Sequence, residues 1–162
     1  MSTLNVNTIA NLTGTTAATI DSAGRILQPL KPHIFCQGNN NNWVTHTAND
    51  AMTWLTVQYS SGMAFTSSSG NFSVQVAGVY FVTGSIYATG AGSKRLSLMA
   101  GTNSGTLIAN GHNDPTNSDD GTITVSAIVN LASSDTFKFV LPYAHQVYQG
   151  NAHCYASAYL IN

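Results

Sequence analysis

The chain is predicted to be an all-β protein, and three observations carry this prediction. It is rich in Thr, Ser, Asn, Gly, Val and Tyr, which suit pleated strands and tight turns. Only 7% of its 162 residues are charged and it has no glutamate, so the side chains that usually cover a helix surface are scarce. From His33 onwards apolar and polar residues alternate, and turn clusters interrupt the alternation about every ten residues, as in a sandwich or barrel.

Residues 1–30 are predicted to form an N-terminal arm and residues 31–162 a single domain. The arm has isolated apolar residues that cannot build a core of their own. Its two extended stretches, 4–12 and 17–27, are interrupted by Gly14 and by a turn at 21–24. The arm is either a disordered tail or a segment that becomes ordered against a partner or against copies of itself. Pro29 and Pro32 mark the domain boundary.

Strands are predicted at 52–59 and 71–76. Residues 79–87 carry large side chains on both faces, which indicates a central strand covered by the core on one side and by a neighbouring subunit on the other. The short stretches 95–99 and 106–109 are bounded by glycines and are expected in an outer, more solvated sheet.

The last strands are predicted in the C-terminal forty residues or so. Residues 122–129 and 136–141 alternate around a turn at 133–135, so we expect them to form a β-hairpin. Residues 153–161 are apolar on both faces, which predicts a C-terminal strand in the middle of a sheet.

The charge balance excludes several partners. Five basic and six acidic residues leave no stripe for tracking phosphates, so nucleic acid is not an expected partner. No apolar run approaches the ~20 residues of a membrane helix, and the first residues lack the features of a signal peptide, so we expect synthesis in the cytoplasm without membrane insertion. Weak charge repulsion between copies favours permanent assembly.

Catalytic chemistry is not expected from this sequence, nor is a cofactor. Without glutamate, no two carboxylates in the strands can be assigned acid and base roles. The loop 112–121 contains Asp114, Asp119 and Asp120, which are weak candidates for Ca²⁺ ligands. Their spacing matches no calcium motif, so the alternative is a solvated loop.

Two cysteines and two histidines, Cys36, Cys154, His33 and His153, would come close if the first and last strands of the domain pair. They are formally a zinc set, but neighbouring residues on a strand point to opposite faces, so one flat pairing cannot bring all four together. We therefore expect packed thiols, with a Cys36–Cys154 disulfide as the alternative.

The asparagine tract before Trp43 is a candidate contact for carbohydrate or a receptor. Asn40, Asn41 and Asn42 provide amide donors and acceptors next to an indole, which is the chemistry that stacks on sugars and hydrogen-bonds them. The alternative is a surface loop in which Trp43 caps the core.

Several motifs occur in the order found in C1q-like domains. The stretches GNF at 70–72 and GVYF at 78–81 resemble the G-x-F and G-x-Y-x-F core signature, with Val82 in place of the last aromatic residue. DTF at 135–137 resembles the family's D-x-V step, and SAYLI at 157–161 is similar to its terminal S-G-F-L-I strand. The resemblance spans residues 33–162.

This resemblance implies a ten-strand C1q/TNF-like jelly-roll sandwich that assembles as a homotrimer. The first, third and last strands of such domains line a threefold axis. The resemblance therefore implies that Tyr80, Tyr155 and Tyr159 are candidate axis residues.

The N-terminal sequence MSTLNVNTI, followed by a Thr/Ala-rich stretch and TIDSAGRIL, resembles the opening of tail-fibre-like structural proteins of marine and cyanobacterial phages. It implies a non-enzymatic fibre, knob or decoration on a virion surface, docked to other virion proteins by the arm and able to contact a host glycan or protein. The alternatives are a free-standing C1q-like or lectin-like module and a polysaccharide-degrading tailspike. The solenoid repeats and paired acids of a tailspike are missing.

Overall fold

The computed structural model describes residues 7–10, 16–27, 31–90, 93–113 and 120–161. The chain divides into two compact units, residues 1–31 and 32–162. Most of the described residues lie in β-strands, which confirms the all-β prediction. In these ranges, no helix is long and apolar enough to cross a membrane.

The first unit contains a small antiparallel sheet of three strands, β1 (Thr8–Ala10), β2 (Thr16–Ile20) and β3 (Ile26–Leu27), paired in that order. The turn predicted at 21–24 is present and joins β2 to β3. The Asp21 carboxylate accepts hydrogen bonds from the backbone N–H groups of Ala23 and Arg25, each at 2.9 Å, and from Nε of Arg25 at 2.7 Å.

The second unit is a sandwich of two antiparallel sheets, and this confirms the jelly-roll prediction. Its described residues divide into more strands than the ten of the predicted pattern, because short segments such as Asp50–Ala51 and His145–Tyr148 also pair with longer strands. The strands are β4 (His33–Gly38), β5 (Trp43–His46), β6 (Asp50–Ala51), β7 (Leu55–Ser61), β8 (Met63–Thr66), β9 (Asn71–Val74), β10 (Gly78–Thr89), β11 (Lys94–Gly101), β12 (Thr106–Asn113), β13 (Gly121–Leu131), β14 (Thr136–Leu141), β15 (His145–Tyr148) and β16 (Tyr155–Leu160).

The first sheet of the sandwich has seven strands in the order β5-β15-β10-β16-β4-β7, with β13 paired to β10. Tyr80 is opposite Val129 of β13 and also opposite Leu160 of β16, so β10 is hydrogen-bonded along both edges. The second sheet has the order β12-β11-β14-β9-β8, with β6 paired to β14. As predicted, the strand at 79–87 is central, and the C-terminal strand lies inside a sheet, between β10 and β4.

The hairpin predicted between 122–129 and 136–141 does not form. β13 pairs with β10 of the first sheet, whereas β14 pairs with β11, β9 and β6 of the second sheet. The turn at 132–135 is closed by a hydrogen bond from the backbone N–H of Ala132 to the Asp135 carboxylate at 2.9 Å, and it carries the chain from one sheet to the other. The stretches 95–99 and 106–109 were both expected in a solvated sheet. The second lies in β12, which is mostly exposed, but the first lies in β11, which is mostly buried.

Aromatic rings from the second sheet fill the middle of the core. Phe72 stacks on Phe137 with ring centroids 4.7 Å apart and an interplanar angle of 3°. Phe139 approaches the opposite sheet at Gly84, where a Cβ atom would lie 2.5 Å from its ring. Gly84 is therefore required by the close approach of this ring to β10.

Gly84→Ala is expected to destabilise the fold by about 1–3 kcal/mol, because overpacking a buried site forces shifts in the ring and the backbone. Phe139→Leu should reduce the cost of Gly84→Ala, so the double variant should be more stable than the sum of the single effects predicts. Denaturant unfolding of all three variants measures this coupling. Additive losses would contradict the proposed contact.

Candidate functional site: the outer face of the seven-stranded sheet

Side chains of the seven-stranded sheet alternate between the core and an outer face. On β10, Tyr80, Val82 and Ile86 are fully buried in the core. Their neighbours Phe81, Thr83 and Tyr87 are half-buried and belong to the outer face. The outer face therefore presents mixed aromatic and polar side chains in rows that run across the strands.

The first of these rows, which we call the apolar row, consists of Ile128, Phe81, Tyr159 and His33. Phe81 is opposite Ile128 on one side and Tyr159 on the other, and Tyr159 is opposite His33. The rings of Phe81 and Tyr159 are 5.5 Å apart. Ile128 is 67% exposed and Tyr159 is 49% exposed in the single chain. Large apolar side chains thus remain uncovered on several adjacent strands.

A second group of aromatic rings continues from the apolar row along β4, β7 and β16. Phe35 stacks on Tyr59 with ring centroids 5.3 Å apart and an interplanar angle of 26°. It also contacts Tyr155 at 6.4 Å, and Tyr59 contacts His33 at 6.0 Å. None of the residues described so far on this face is Asp, Glu, Lys or Arg. These residues together form a largely aromatic patch, as the centres of interaction surfaces often do.

Tyr80, the first of the predicted axis residues, is not on this face. Its side chain is fully buried in the core of the subunit, and its hydroxyl donates a hydrogen bond of 2.6 Å to the carbonyl of Val76. The expectation that Tyr80 lines an axis is therefore corrected, because adjacent residues of a strand face opposite ways and Phe81 takes the outer position. Tyr155 and Tyr159 lie on the outer face and stay candidates.

At the other end of the face, four rings contact one another in a closed circuit, which we call the aromatic quartet: Trp43, Tyr87, Tyr148 and His153. The Trp43 ring is 5.6 Å from Tyr87 and 5.4 Å from Tyr148, and His153 is 5.1 Å and 5.0 Å from the same two tyrosines. Trp43 is 38% exposed, so it does not act as a cap buried in the core.

The asparagine tract beside Trp43 is held by one buried residue, Gln149. Its carbonyl accepts a hydrogen bond from the backbone N–H of Asn40, and its own N–H donates to the carbonyl of Asn42, both at 3.1 Å. Its side-chain carbonyl accepts from the Asn40 amide at 3.3 Å. The Asn42 amide donates to Asn40 Oδ1 at 2.8 Å. The tract is thus fixed in position although Asn41 and Asn42 are exposed.

His46 completes the support of Gln149. The amide nitrogen of Gln149 lies 2.9 Å from Nε2 of His46, and because this amide group can only donate, Nε2 accepts. The other ring nitrogen then donates to Asp50 at 3.4 Å. Burial lowers the pKa of His46, which favours the neutral ring that this arrangement requires, although Asp50 opposes the shift.

The candidate metal ligands do not come together among the described residues. There, no group of three or more His, Cys or Asp side chains is arranged to hold a metal ion. Asp120 accepts a hydrogen bond of 3.2 Å from the Tyr87 hydroxyl, whereas Asp114 and Asp119 lie outside the described residues. His153 belongs to the aromatic quartet, away from the core position of Cys36.

Cys36 and Cys154 are free thiols packed in the core and do not form a disulfide. Burial raises the pKa of the Cys36 thiol to about 12 and also raises the pKa of Cys154. The Cys154 thiol donates a hydrogen bond to the carbonyl of Tyr148 at 3.0 Å. Thiols that stay protonated are poor nucleophiles and poor metal ligands, so their role here is packing.

Sequence reasoning missed most of the outer face, although β10 carried a usable signal. Thr83 and Ser85 share the side of the strand with Phe81, whereas Val82, Gly84 and Ile86 share the side of Tyr80. The side of a strand that carries polar residues is expected to face away from the core, so this alternation identifies Phe81 as the ring on the outer face. The rings missed in this way are Phe35, Tyr59, Phe81, Tyr87, Tyr148 and His153.

No protein-family model matches the chain, and no curated protein sequence matches it. Solved structures similar to this chain are TNF-type and C1q-type jelly rolls. Eiger, a TNF from S. frugiperda, has 11% sequence identity and a TM-score of 0.73, with 82% of this chain and 94% of that chain covered. The globular domain of zebrafish complement 1qA protein has 16% identity and a TM-score of 0.65, with 82% and 98% covered. Murine APRIL at pH 5.0 has 8% identity and a TM-score of 0.63, with 81% and 99% covered.

These similarities establish a C1q/TNF-like jelly-roll fold over 81–82% of the chain. The class of fold predicted from the GNF, GVYF, DTF and SAYLI motifs is therefore confirmed. At these identities, the likeness concerns the fold, and function has to be argued from the outer face itself.

Tyr80→Phe is expected to lower the free energy of unfolding by about 0.5–1.5 kcal/mol, because it removes the hydrogen bond to Val76 and leaves the ring in place. The mass of the protein in solution should not change, since the ring is inside the subunit. Denaturant unfolding and light scattering on the same sample check both points. A drop in mass with unchanged subunit stability would show that Tyr80 does contribute to an interface.

Proposed function

We propose that this chain is a non-enzymatic binding and structural module that forms a homotrimer through the apolar row and the adjoining rings of Phe35, Tyr59 and Tyr155. The single observation that carries the proposal is the patch of exposed aromatic and aliphatic side chains, without Asp, Glu, Lys or Arg, that these residues form on a sheet whose opposite face already covers the core. The trimeric state is taken from the C1q-like resemblance, in which the first, third and last strands line the axis. Here β4 and β16 are the first and last strands of the second unit, and β10 is the strand next to β16 in the same sheet.

A second copy of the chain is the occupant that this face fits best. The apolar row has no charge to match with a charged partner, and identical neutral surfaces do not repel one another. Ile128 and Tyr159 are the kind of large exposed residues whose burial stabilises an obligate interface. A chain with only 7% charged residues also gains solubility when such a face is covered.

The intact chain is expected to have three times its 17.0 kDa subunit mass in sedimentation equilibrium at micromolar concentration. The double variant Ile128→Ser/Tyr159→Ser should raise the dissociation constant at least about tenfold, since each trimer loses several buried apolar contacts. Leu107→Ser is the matched control, because Leu107 is 53% exposed on β12 of the other sheet.

Two results would contradict this proposal. One is a monomeric mass for the unmodified chain. The other is equal weakening by Leu107→Ser and by the double variant, which would mean that the outer face has no special part in assembly.

We further propose that the trimer is a fibre, knob or decoration on a virion surface, with residues 1–30 as the attachment arm. The support for this role is the resemblance of the N-terminal sequence to phage tail-fibre-like proteins and the low surface charge, which suits a permanently assembled particle. The small sheet β1-β2-β3 has a separate fold from the sandwich and can serve as a docking element. Portal, capsid or tail genes next to this gene would separate this role from that of a free-standing lectin-like module.

Deletion of residues 1–30 is expected to leave a folded oligomer that no longer joins its particle, because the described core of the sandwich is built from residues 34–160. Circular dichroism and light scattering serve as folding controls, and particle incorporation is measured by quantitative mass spectrometry of purified particles. Equal incorporation of the truncated and intact proteins would reject the attachment role.

A further inference from the structure

We infer that the aromatic quartet and the amides beside it form a binding site for a neutral saccharide. The inference rests on the binding role proposed above and deepens it by naming a ligand. It does not depend on the oligomeric state of the chain. Its physical basis is a set of contacts at the opposite end of the sheet from the apolar row.

The quartet presents a platform that is apolar in its centre. Each of its four rings contacts two others, so Trp43 is braced by Tyr87 and Tyr148 while 38% of its surface remains exposed. A rigid, half-exposed indole loses little conformational entropy when a ligand covers it. The apolar C–H face of a pyranose ring can stack on such a surface.

Hydrogen-bonding groups lie next to the platform. Asn41 Oδ1 and the Tyr148 ring both come within 3.0 Å of the position that a Cβ atom on residue 150 would occupy, so Gly150 allows the amide to lie close to the quartet. On the Tyr87 side, the exposed Asp120 carboxylate has one oxygen bonded to the tyrosine hydroxyl. Amide and carboxylate oxygens are acceptors suited to sugar hydroxyls, and the Asn41 amide group adds donors.

The asparagine tract is ordered in advance of any binding. Gln149 is 5% exposed, and its backbone and side chain form hydrogen bonds to Asn40, Asn42 and His46. Buried polar groups are costly unless they are fully paired, so this network fixes one loop conformation. Asn41 and Asn42 are exposed in this ordered loop, and their fixed positions lower the entropic cost of binding a polar ligand.

The charges of the site select the class of ligand. The Asp120 carboxylate disfavours phosphates, sulfates and acidic sugars, and none of the residues named at this site is Lys or Arg. A second copy of the chain fits less well, because the exposed amides beside the platform would lose water on burial without matching partners. The polar pair Ser85 and Thr124, joined at 3.1 Å, also separates this end from the apolar row. A neutral oligosaccharide satisfies both the platform and the amides.

The test uses the full chain on an array of immobilised neutral and anionic oligosaccharides, followed by calorimetric titration of the strongest neutral one. Trp43→Ala is expected to weaken binding at least about tenfold, and Asn41→Ala and Asp120→Asn should each weaken it while leaving the platform in place. Tyr143→Ala is the matched control, because Tyr143 is an exposed ring, at 43%, outside the quartet. It should bind like the unmodified chain.

Several outcomes would overturn the inference. These are the absence of binding to every neutral glycan, binding to anionic glycans alone, or equal affinity of Trp43→Ala and the unmodified chain. The mass of each variant is measured in parallel. If Trp43→Ala dissociates the oligomer, the quartet belongs to the subunit interface, and the saccharide site is rejected while the proposed assembly stands. Saccharide binding by a monomeric unmodified chain would reject the assembly and support the site.

Discussion

The two edges and two faces of β10 organise the sandwich. Its edges are hydrogen-bonded to β13 on one side and to β16 and β15 on the other, so this strand cannot shift without breaking several pairings. One face supplies Tyr80, Val82 and Ile86 to the core, and Gly84 gives Phe139 of the opposite sheet room to approach. The other face, beginning with Phe81 and ending with Tyr87, sets the outer surface on which any partner must bind.

The sequence predicted the fold class well because strand alternation and turn spacing are local properties. Strand β10 and the C-terminal strand carry large residues on both faces, and this indicated that both are interior strands. The predicted hairpin between β13 and β14 is wrong, because the alternation of apolar and polar residues describes each strand separately and does not identify its pairing partner. A turn such as 132–135 can return the chain within one sheet or carry it to the other, and only the pairing partners distinguish these cases.

The candidate site was predicted less completely, for a related reason. A period of two shows which residues share a face but does not show which face points inward. Tyr80 was assigned outward on the strength of its motif, and its burial reversed that assignment. Trp43 and the asparagines were recognised because they are adjacent in sequence. Tyr87 is distant in sequence from Tyr148 and His153, and it meets them through the pairing of β10 with β15 and the return of the chain before β16.

The proposed assembly requires that neighbouring subunits cover the apolar row and the adjoining rings of Phe35, Tyr59 and Tyr155. Oxidative footprinting of the intact, assembled chain tests it most directly, because tyrosine modification reports local exposure. Tyr59, Tyr143 and Tyr159 are 58%, 43% and 49% exposed in the single chain and should therefore react at comparable rates if it were alone. The account predicts that Tyr59 and Tyr159 are protected and that Tyr143 reacts. Comparable modification of all three tyrosines would contradict it.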